Sequence, residues 1–276
     1  MSHIQQISSE LSLHPAQVER TLALSAEGST VPFIARYRKE ATGNLDEVQI
    51  QNILDRAAEL QELDERRAAI LKSIDEQGKL TPELSAAIAR AKSRTELEDL
   101  YLPYKPKRRT RATIAREKGF EPLANVMWEG DPSQRIDATA EALAGARDIC
   151  AERVAEDAPL RTYAREKARR EGVLASAVVP EKKETKSKFE MYYEHREPLA
   201  SAPSHRALAI FRGEAENVLH VKLRFPDEQI VAGLKARCNR PTPLADDREK
   251  AIEDGWKRLL SVSLEAELRT ELKERS

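Results

Sequence analysis

The sequence predicts a mainly α-helical, multi-helical protein with a small β element around residues 173–179 and 218–225. Charged residues make up 34% of the chain and hydrophobic residues 40%, with only 10 glycines, and this composition favours helices rich in Glu, Lys, Arg, Ala and Leu. Apolar residues recur at helical spacings over much of the length. Two or three strands at most can be found, which is too few for a domain built on a sheet.

One long helix is predicted within the first eighty residues. Apolar side chains recur with a helical period over residues 45–77, and Gly78 follows as a C-terminal stop. Thr81 and Pro82 then supply an N-cap and a proline at the first helical position, so a second helix is expected to run through Ile88.

Shorter helices are predicted along the rest of the chain. They cover residues 95–101, 112–118, 122–128, 137–157, 159–170, 204–211, 227–237 and 245–260. The helix over 204–211 is expected to stop at Gly213. The last segment carries Leu264, Leu268 and Leu272 at i, i+4 and i+8 without a C-cap. This apolar stripe has two interpretations: the helix docks back on the body of the protein, or the natural protein continues.

Changes in composition and in hydrophobic periodicity along the sequence divide the chain into three predicted regions. Residues 1–80 form an N-terminal helical region, and residues 81–172 form a central helical region with a basic loop. Residues 173–276 mix helices with short strands. No repeat of fixed period occurs, so a solenoid is not expected.

Charge and cysteine content predict a cytoplasmic protein with no membrane partner. The 46 Lys and Arg residues and the 47 Asp and Glu residues nearly cancel, so binding to nucleic acid must come from local patches. Cys150 and Cys238 lie far apart without CxxC spacing, which indicates reduced thiols. The N-terminus lacks a signal-peptide pattern, and no apolar run approaches the ~20 residues that cross a bilayer.

The common signatures of catalysis, metal binding and cofactor binding are missing from the sequence. None of the five histidines stands at i, i+4 from another or beside a cysteine, so no zinc site is predicted. No GxSxG, GxxxxGK[ST] or GxGxxG motif occurs. Acidic doublets such as Glu98–Asp99 point in different directions on a helix and more often solvate a face. We therefore expect no catalytic residue, no cofactor and no metal.

The clearest candidate for binding nucleic acid is the basic segment over residues 105–118. Its seven cations against one anion give a net charge of +6, and each neutralised phosphate would add salt-dependent affinity. The cations are Lys105, Lys107, Arg108, Arg109, Arg111, Arg116 and Lys118. The alternative is that these cations bridge to acidic helices of the same chain. Tyr101 and Tyr104 precede the segment and could stack on unpaired bases, but aromatic residues at such junctions are usually buried in the core.

A second candidate lies in TVPFIARYRKE, over residues 30–40. If Thr30 is an N-cap and Gly43 a stop, a helical projection places Arg36 and Lys39 on the outer face, where they are possible phosphate contacts. The same projection places Arg38 within the apolar arc. We therefore expect a buried Arg38 that is paired with Asp46, Glu47 or a more distant acid.

Four long motifs resemble those of the bacterial transcription accessory protein family Tex. They are VPFIARYRKEATGNLDE at 31–47, LEDLYLPYKPKRRTRATIAREKGFEPLA at 97–124, AREKARREGVLASAVV at 164–179 and PSHRALAIFRGEAENVLHVKL at 203–223. Asn217 stands where the family often has glycine, and Asn tolerates the positive backbone angle of such a turn.

The resemblance implies a helix-turn-helix-like part in the N-terminal region and a role in binding RNA or DNA during transcription. It also implies that complete members continue into RNase H-like, helix-hairpin-helix and OB-fold RNA-binding domains. We expect this chain to stop before those domains, and therefore to be non-catalytic and to bind nucleic acid weakly by itself. Its expected partners are nucleic acid, the transcription machinery and the C-terminal domains of its own complete chain. The alternative is a protein-interaction module, with all nucleic-acid binding carried by those later domains.

Overall fold

The computed structural model describes residues 2–106, 108–184 and 186–274, and the chain folds into two compact units, Met1–Tyr101 and Leu102–Ser276. The fold is mainly α-helical with one small antiparallel sheet, as predicted. The contacts between residues divide the chain into these two units, with a single boundary after Tyr101. The division into three regions at residues 80 and 172 stays a prediction.

The first unit consists of seven helices. They are α1 (His3–Leu11), α2 (Pro15–Ala26), α3 (Val31–Tyr37), α4 (Lys39–Thr42), α5 (Glu47–Glu76), α6 (Pro82–Arg90) and α7 (Arg94–Tyr101). The long helix α5 begins with a capping box, in which the Asp46 carboxylate accepts from the Gln49 amide at 2.7 Å and the Gln49 side chain accepts from the Asp46 amide at 3.1 Å. It ends before Gly78, whose φ of +66° favours glycine. The predicted long helix is confirmed.

An apolar cluster holds the N-terminal half of α5 against α1, α2 and α3. Ile7, Val18, Ile34, Ile50 and Ile53 are all fully buried in this cluster. Burying each of these side chains contributes about 1.5–3 kcal/mol relative to leaving it in water. The helical periodicity of α5 therefore places one face in the core and leaves its charged face in solvent.

The structure corrects the prediction for Arg38. The chain leaves the helical conformation at Arg38 (φ −126°, ψ 25°), so α3 and α4 are separate helices and a single helical projection does not apply. Arg38 is exposed, and its guanidinium lies 5.4 Å from the centroid of the Phe33 ring. Its two aromatic neighbours, Phe33 and Tyr37, are 39% and 68% exposed, so the apolar arc of the projection is not a buried face. The predicted stop at Gly43 is confirmed, with φ of +66°.

The second unit consists of helices around a three-stranded sheet. Its elements are α8 (Arg111–Glu117), α9 (Glu121–Trp128), α10 (Ala140–Glu156), α11 (Ala158–Glu171), β1 (Val173–Val178), β2 (Glu194–Pro198), α12 (Ser204–Ala215), β3 (Leu219–Arg224), α13 (Asp227–Arg237), α14 (Ala245–Asp254), a π-helix (Gly255–Leu260) and α15 (Ser261–Glu274). Within the described ranges, none of the helices is both long and apolar enough to cross a membrane.

The sheet has the strand order β2-β1-β3, and both pairings are antiparallel. The strands predicted around 173–179 and 218–225 are confirmed as β1 and β3. Strand β2, EHREP, was not predicted because it is short, polar and closed by Pro198. One face of the sheet buries Leu174, Leu219, Val221 and Leu223 in the main core, and the other face remains open.

Helix α12 continues past the predicted stop at Gly213 to Ala215. Gly213 is buried, and a Cβ atom there would lie 2.6 Å from Cδ1 of Leu219. Glycine at this position therefore serves the close packing of α12 on β3, and the expectation that it ends the helix was wrong. The turn itself falls at Asn217, whose φ is +53°, as the family comparison anticipated.

The last helix docks on the body of the second unit. Leu264, Leu268 and Leu272 are 0%, 3% and 6% exposed and belong to the main core cluster. The buried Arg161 and Arg165 of α11 both form ion pairs with Glu267 of α15. Of the two interpretations of the apolar stripe, docking is the one that the structure shows.

We predict that Leu268→Ala lowers the stability of the second unit by about 2–5 kcal/mol, because it removes a buried side chain and leaves a cavity. Val262→Ala is the matched control, since Val262 lies on the same helix and is 62% exposed. Urea unfolding of both variants measures the difference. Equal destabilisation by the two substitutions would show that α15 does not rest on this apolar stripe.

Candidate nucleic-acid interface

The basic segment connects a short 3-10 turn at Leu102–Tyr104 to helix α8. Residues 108–110 lie in neither helix nor strand. Helix α8 then begins at an N-cap, where the Thr110 hydroxyl accepts from the Thr113 amide at 3.0 Å. Residues 108–110 are therefore fixed at their C-terminal end by this N-cap.

A buried carboxylate beneath the segment provides a second attachment. Glu152 of α10 is 5% exposed, and it accepts hydrogen bonds from the Thr110 hydroxyl at 3.0 Å and from Nη1 of Arg116 at 2.7 Å. The small residues Ala112 and Ala115 allow α8 to pack closely on α10. A buried charge needs such partners, and these hold the start of α8 in place.

Three of the predicted cations form ion pairs with acids of the same unit. Arg109 lies 2.6 Å from Glu117, and Lys118 lies 2.6 Å from Glu141. The Lys118 ammonium, by its hydrogen bond and its charge, lowers the pKa of the Glu141 carboxyl. Arg116 is paired with Glu152. For these three cations the bridging alternative is confirmed, and a role in nucleic-acid binding stays a prediction.

Arg108 and Arg111 differ from those three. Both are exposed, and neither has a carboxylate within 4 Å among the residues that the structure describes. Lys105 is half-buried and has an interaction partner, and Lys107 lies outside the described residues. An exposed guanidinium without a carboxylate keeps its donors available to a phosphate.

The earlier candidates Arg36 and Lys39 belong to the first unit. Both are exposed, so their predicted outward orientation is confirmed. Nε of Arg36 lies 3.7 Å from the Glu47 carboxylate, and both side chains are more than half exposed, so this pair contributes little to stability. Their contact with phosphates stays a prediction.

Of the two tyrosines before the basic segment, Tyr101 is in the core, as expected. It is 9% exposed, its hydroxyl lies 2.9 Å from the Ser73 hydroxyl, and the guanidinium of Arg66 lies 5.5 Å from its ring centroid. Tyr104 is half-buried. Stacking of a base on Tyr101 is therefore excluded in this conformation.

A second group of cations, on the open face of the sheet, was missed by the sequence analysis. Lys183, Arg196, Lys222 and Arg224 line one concave surface together. The alternating order LHVKLR in β3 carried a signal, because every second residue of a strand points to the same face. The contribution of Arg196 could not be found without strand β2.

The two thiols are structural. Cys150 and Cys238 are buried and free, and burial raises the pKa of each to about 11. They are therefore almost fully protonated at neutral pH and make poor nucleophiles. Across the described parts of the chain, no three or more His, Cys, Asp or Glu side chains are grouped so that they could hold a metal ion.

Fold and site together define a mainly helical scaffold that carries basic surface segments. The chain matches two family models, "Tex-like protein N-terminal domain" over residues 1–75 and "Tex central region-like" over residues 121–276. The second match covers more than half of the chain. The chain therefore belongs to the Tex family of transcription accessory proteins.

Similar proteins occur in bacteria and in animals. The chain is 45% identical to "Protein YhgF" of Escherichia coli, over 98% of this chain and 38% of that protein. It is 43% identical to "Transcriptional accessory protein Tex" of Neisseria gonorrhoeae, over 97% of this chain and 38% of that protein. It is 27% identical to "S1 RNA-binding domain-containing protein 1" of Homo sapiens, over 98% of this chain and 30% of that protein. The chain thus spans well under half the length of these relatives.

We predict that Glu152→Gln loosens the basic segment, because the neutral amide loses its charge-assisted bond to Arg116 and weakens the attachment of Thr110. Hydrogen bonds to charged groups contribute about 1.5–3 kcal/mol. Limited trypsin digestion should therefore cleave within 105–111 faster than in the unmodified chain. Glu141→Gln is the control, since its pair with Lys118 is exposed. Similar cleavage of both variants would contradict the anchoring role of Glu152.

Proposed function

We propose that this chain is the non-catalytic helical scaffold of a nucleic-acid-binding transcription accessory protein, and that Arg108 and Arg111 supply auxiliary phosphate contacts. The observation that carries this proposal is the exposure of these two guanidinium groups without a carboxylate partner among the described residues, in a segment where Arg109, Arg116 and Lys118 are neutralised. A phosphate binds more readily to an arginine without a carboxylate partner than to one that must first give up an ion pair.

The relatives' names support this assignment. One is named a transcriptional accessory protein and another an S1 RNA-binding domain-containing protein. Both are more than twice as long as this chain, so we assign the main nucleic-acid-binding module, the choice between RNA and DNA, and contact with the transcription machinery to the complete protein. Affinity of this chain alone is then weak and strongly dependent on salt.

The proposal also includes a cytoplasmic location and the absence of catalysis by this chain. Two free, buried thiols fit a reducing compartment. Burial raises the pKa of both thiols, so they stay protonated and are poor nucleophiles, and Glu152 is engaged by Thr110 and Arg116. An RNase H-like activity would belong to a domain outside this sequence.

A protein-interaction module is the second candidate, and one surface favours it. A concavity of about 720 Å³ is lined by apolar residues, among them Met191 and Leu208, which are 73% and 43% exposed, and by the basic residues Lys188, Arg212 and Lys273. Exposed apolar residues grouped in this way are typical of protein contacts. This candidate predicts that the chain binds no nucleic acid at moderate salt, while the complete protein does.

The test compares Arg108→Ala/Arg111→Ala with the matched control Arg109→Ala/Lys118→Ala in the complete protein and in this chain. Fluorescence anisotropy of a labelled single strand gives the affinity between about 50 and 200 mM salt. Loss of two phosphate contacts should reduce the slope of log K against log salt by about 1.4. The control removes the same net charge from ion-paired cations and should leave the slope unchanged. Equal slopes for the two variants would contradict the assignment of Arg108 and Arg111.

A further inference from the structure

The open face of the sheet forms a shallow trough with small residues along its centre. Its volume is about 830 Å³. Ala175 in the central strand β1 is paired with Arg196 of β2 on one side and with Lys222 of β3 on the other. Ala177 and Val173 occupy the neighbouring rows of the same face, because side chains alternate along a strand. Because the alanine side chains are short, a ligand can approach the backbone of the central strand.

Cations line both sides of this trough. Arg196, Lys222 and Arg224 are exposed on the two outer strands, and Lys183 stands at one end. Lys222 and Arg224 are two residues apart, so their Cα atoms are separated by roughly 6.6 Å along the strand. Arg196 lies across the trough from Lys222, roughly 9.6 Å away over two strand spacings.

Within the described ranges, these four cations lack ion pairs, unlike Arg170, Lys235 and Arg240 of the same unit. In the described part of the chain, no carboxylate lies within 4 Å of Lys183, Arg196, Lys222 or Arg224. Two acids line the same trough, and one of them, Glu214, is already paired with Arg269. Glu194 is the remaining acid, so the trough carries a clear excess of positive charge.

Resting on the proposed function, we propose that this trough is a second nucleic-acid site and that it binds the phosphodiester backbone of a single strand. Cations in rows on both sides of a low centre suit a ligand whose negative charges repeat along its length. A double helix is wider than a trough of three strands, so its two backbones cannot both lie between the two rows of cations.

An acidic peptide fits this surface less well. A peptide bound against a sheet needs pockets for its alternate side chains to gain specificity, and Ala175 and Ala177 form none. The ordering entropy of a bound peptide would then have no side-chain pockets to offset it. A backbone of phosphates needs only the cations, and its bases can remain turned towards solvent. The single strand is therefore the occupant to test.

The experiment uses this 276-residue chain with the triple variant Arg196→Ala/Lys222→Ala/Arg224→Ala. The probe is a fluorescently labelled oligouridylate of about 12 nucleotides, titrated between about 50 and 200 mM salt. Loss of three phosphate contacts should reduce the salt slope by about 2. The matched control is Arg170→Ala/Lys235→Ala/Arg240→Ala, which removes the same charge from cations paired with Glu171, Glu249 and Glu129. The control should keep the slope of the unmodified chain.

Lys222→Glu provides a second variant in case the triple variant unfolds, and it should weaken binding at least as much as Lys222→Ala. An unchanged slope in both sheet variants, while Arg108→Ala/Arg111→Ala lowers it, would overturn the trough and leave the proposed function standing. No binding by the unmodified chain would overturn both proposals for this chain. A duplex probe that binds more tightly than the single strand, with the same loss in the triple variant, would overturn the single-strand assignment.

Discussion

The close packing of neighbouring elements on helix α10 is the constraint on which the second unit depends. Helices α8, α9, α11 and α14 and the π-helix all pack on it, and this is possible because small residues lie at the contacts. A Cβ atom at Gly255 would lie only 2.8 Å from the carbonyl oxygen of Ala151. The close packing of α8 on α10 places Glu152 beneath the basic segment. Its carboxylate is removed from water there, and hydrogen bonds from Thr110 and Arg116 compensate for the loss. Core packing thus determines where the surface segment begins.

Within the basic segment, ion pairing separates the candidate binding residues Arg108 and Arg111 from Arg109, Arg116 and Lys118. The chain has almost equal numbers of acidic and basic residues, so its long-range field is weak and local arrangements of cations decide where an anion can bind. Arg109 and Lys118 stand in the most basic stretch of the sequence and are nevertheless neutralised by Glu117 and Glu141. Arg196 stands in a stretch with acids on both sides and has no ion pair within the described residues.

The helices were predictable because their signals are local. Helix α5 begins after Asp46, which forms a capping box, and ends before Gly78, which has a positive φ. Both signals can be identified from a few neighbouring residues. The orientation of Arg38 was not predictable, since it depends on a break that divides one helix into two. The pairing of cations was not predictable either: Arg116 meets Glu152 across 36 residues. Two of the basic residues of the trough were visible in β3, but the surface exists only because β2 lies on the far side of β1.

The most direct test of the central claim is arginine footprinting over the whole chain. Modification by phenylglyoxal, followed by mass spectrometry with and without a single-stranded oligonucleotide, reports the change in access of each guanidinium group. If the arginines of the basic segment and of the trough that are unpaired among the described residues mark the binding surfaces, the oligonucleotide protects Arg108, Arg111, Arg196 and Arg224. The paired arginines Arg109, Arg170 and Arg240 keep their reactivity. Protection that is equal in the two groups, or confined to the paired arginines, would contradict the claim.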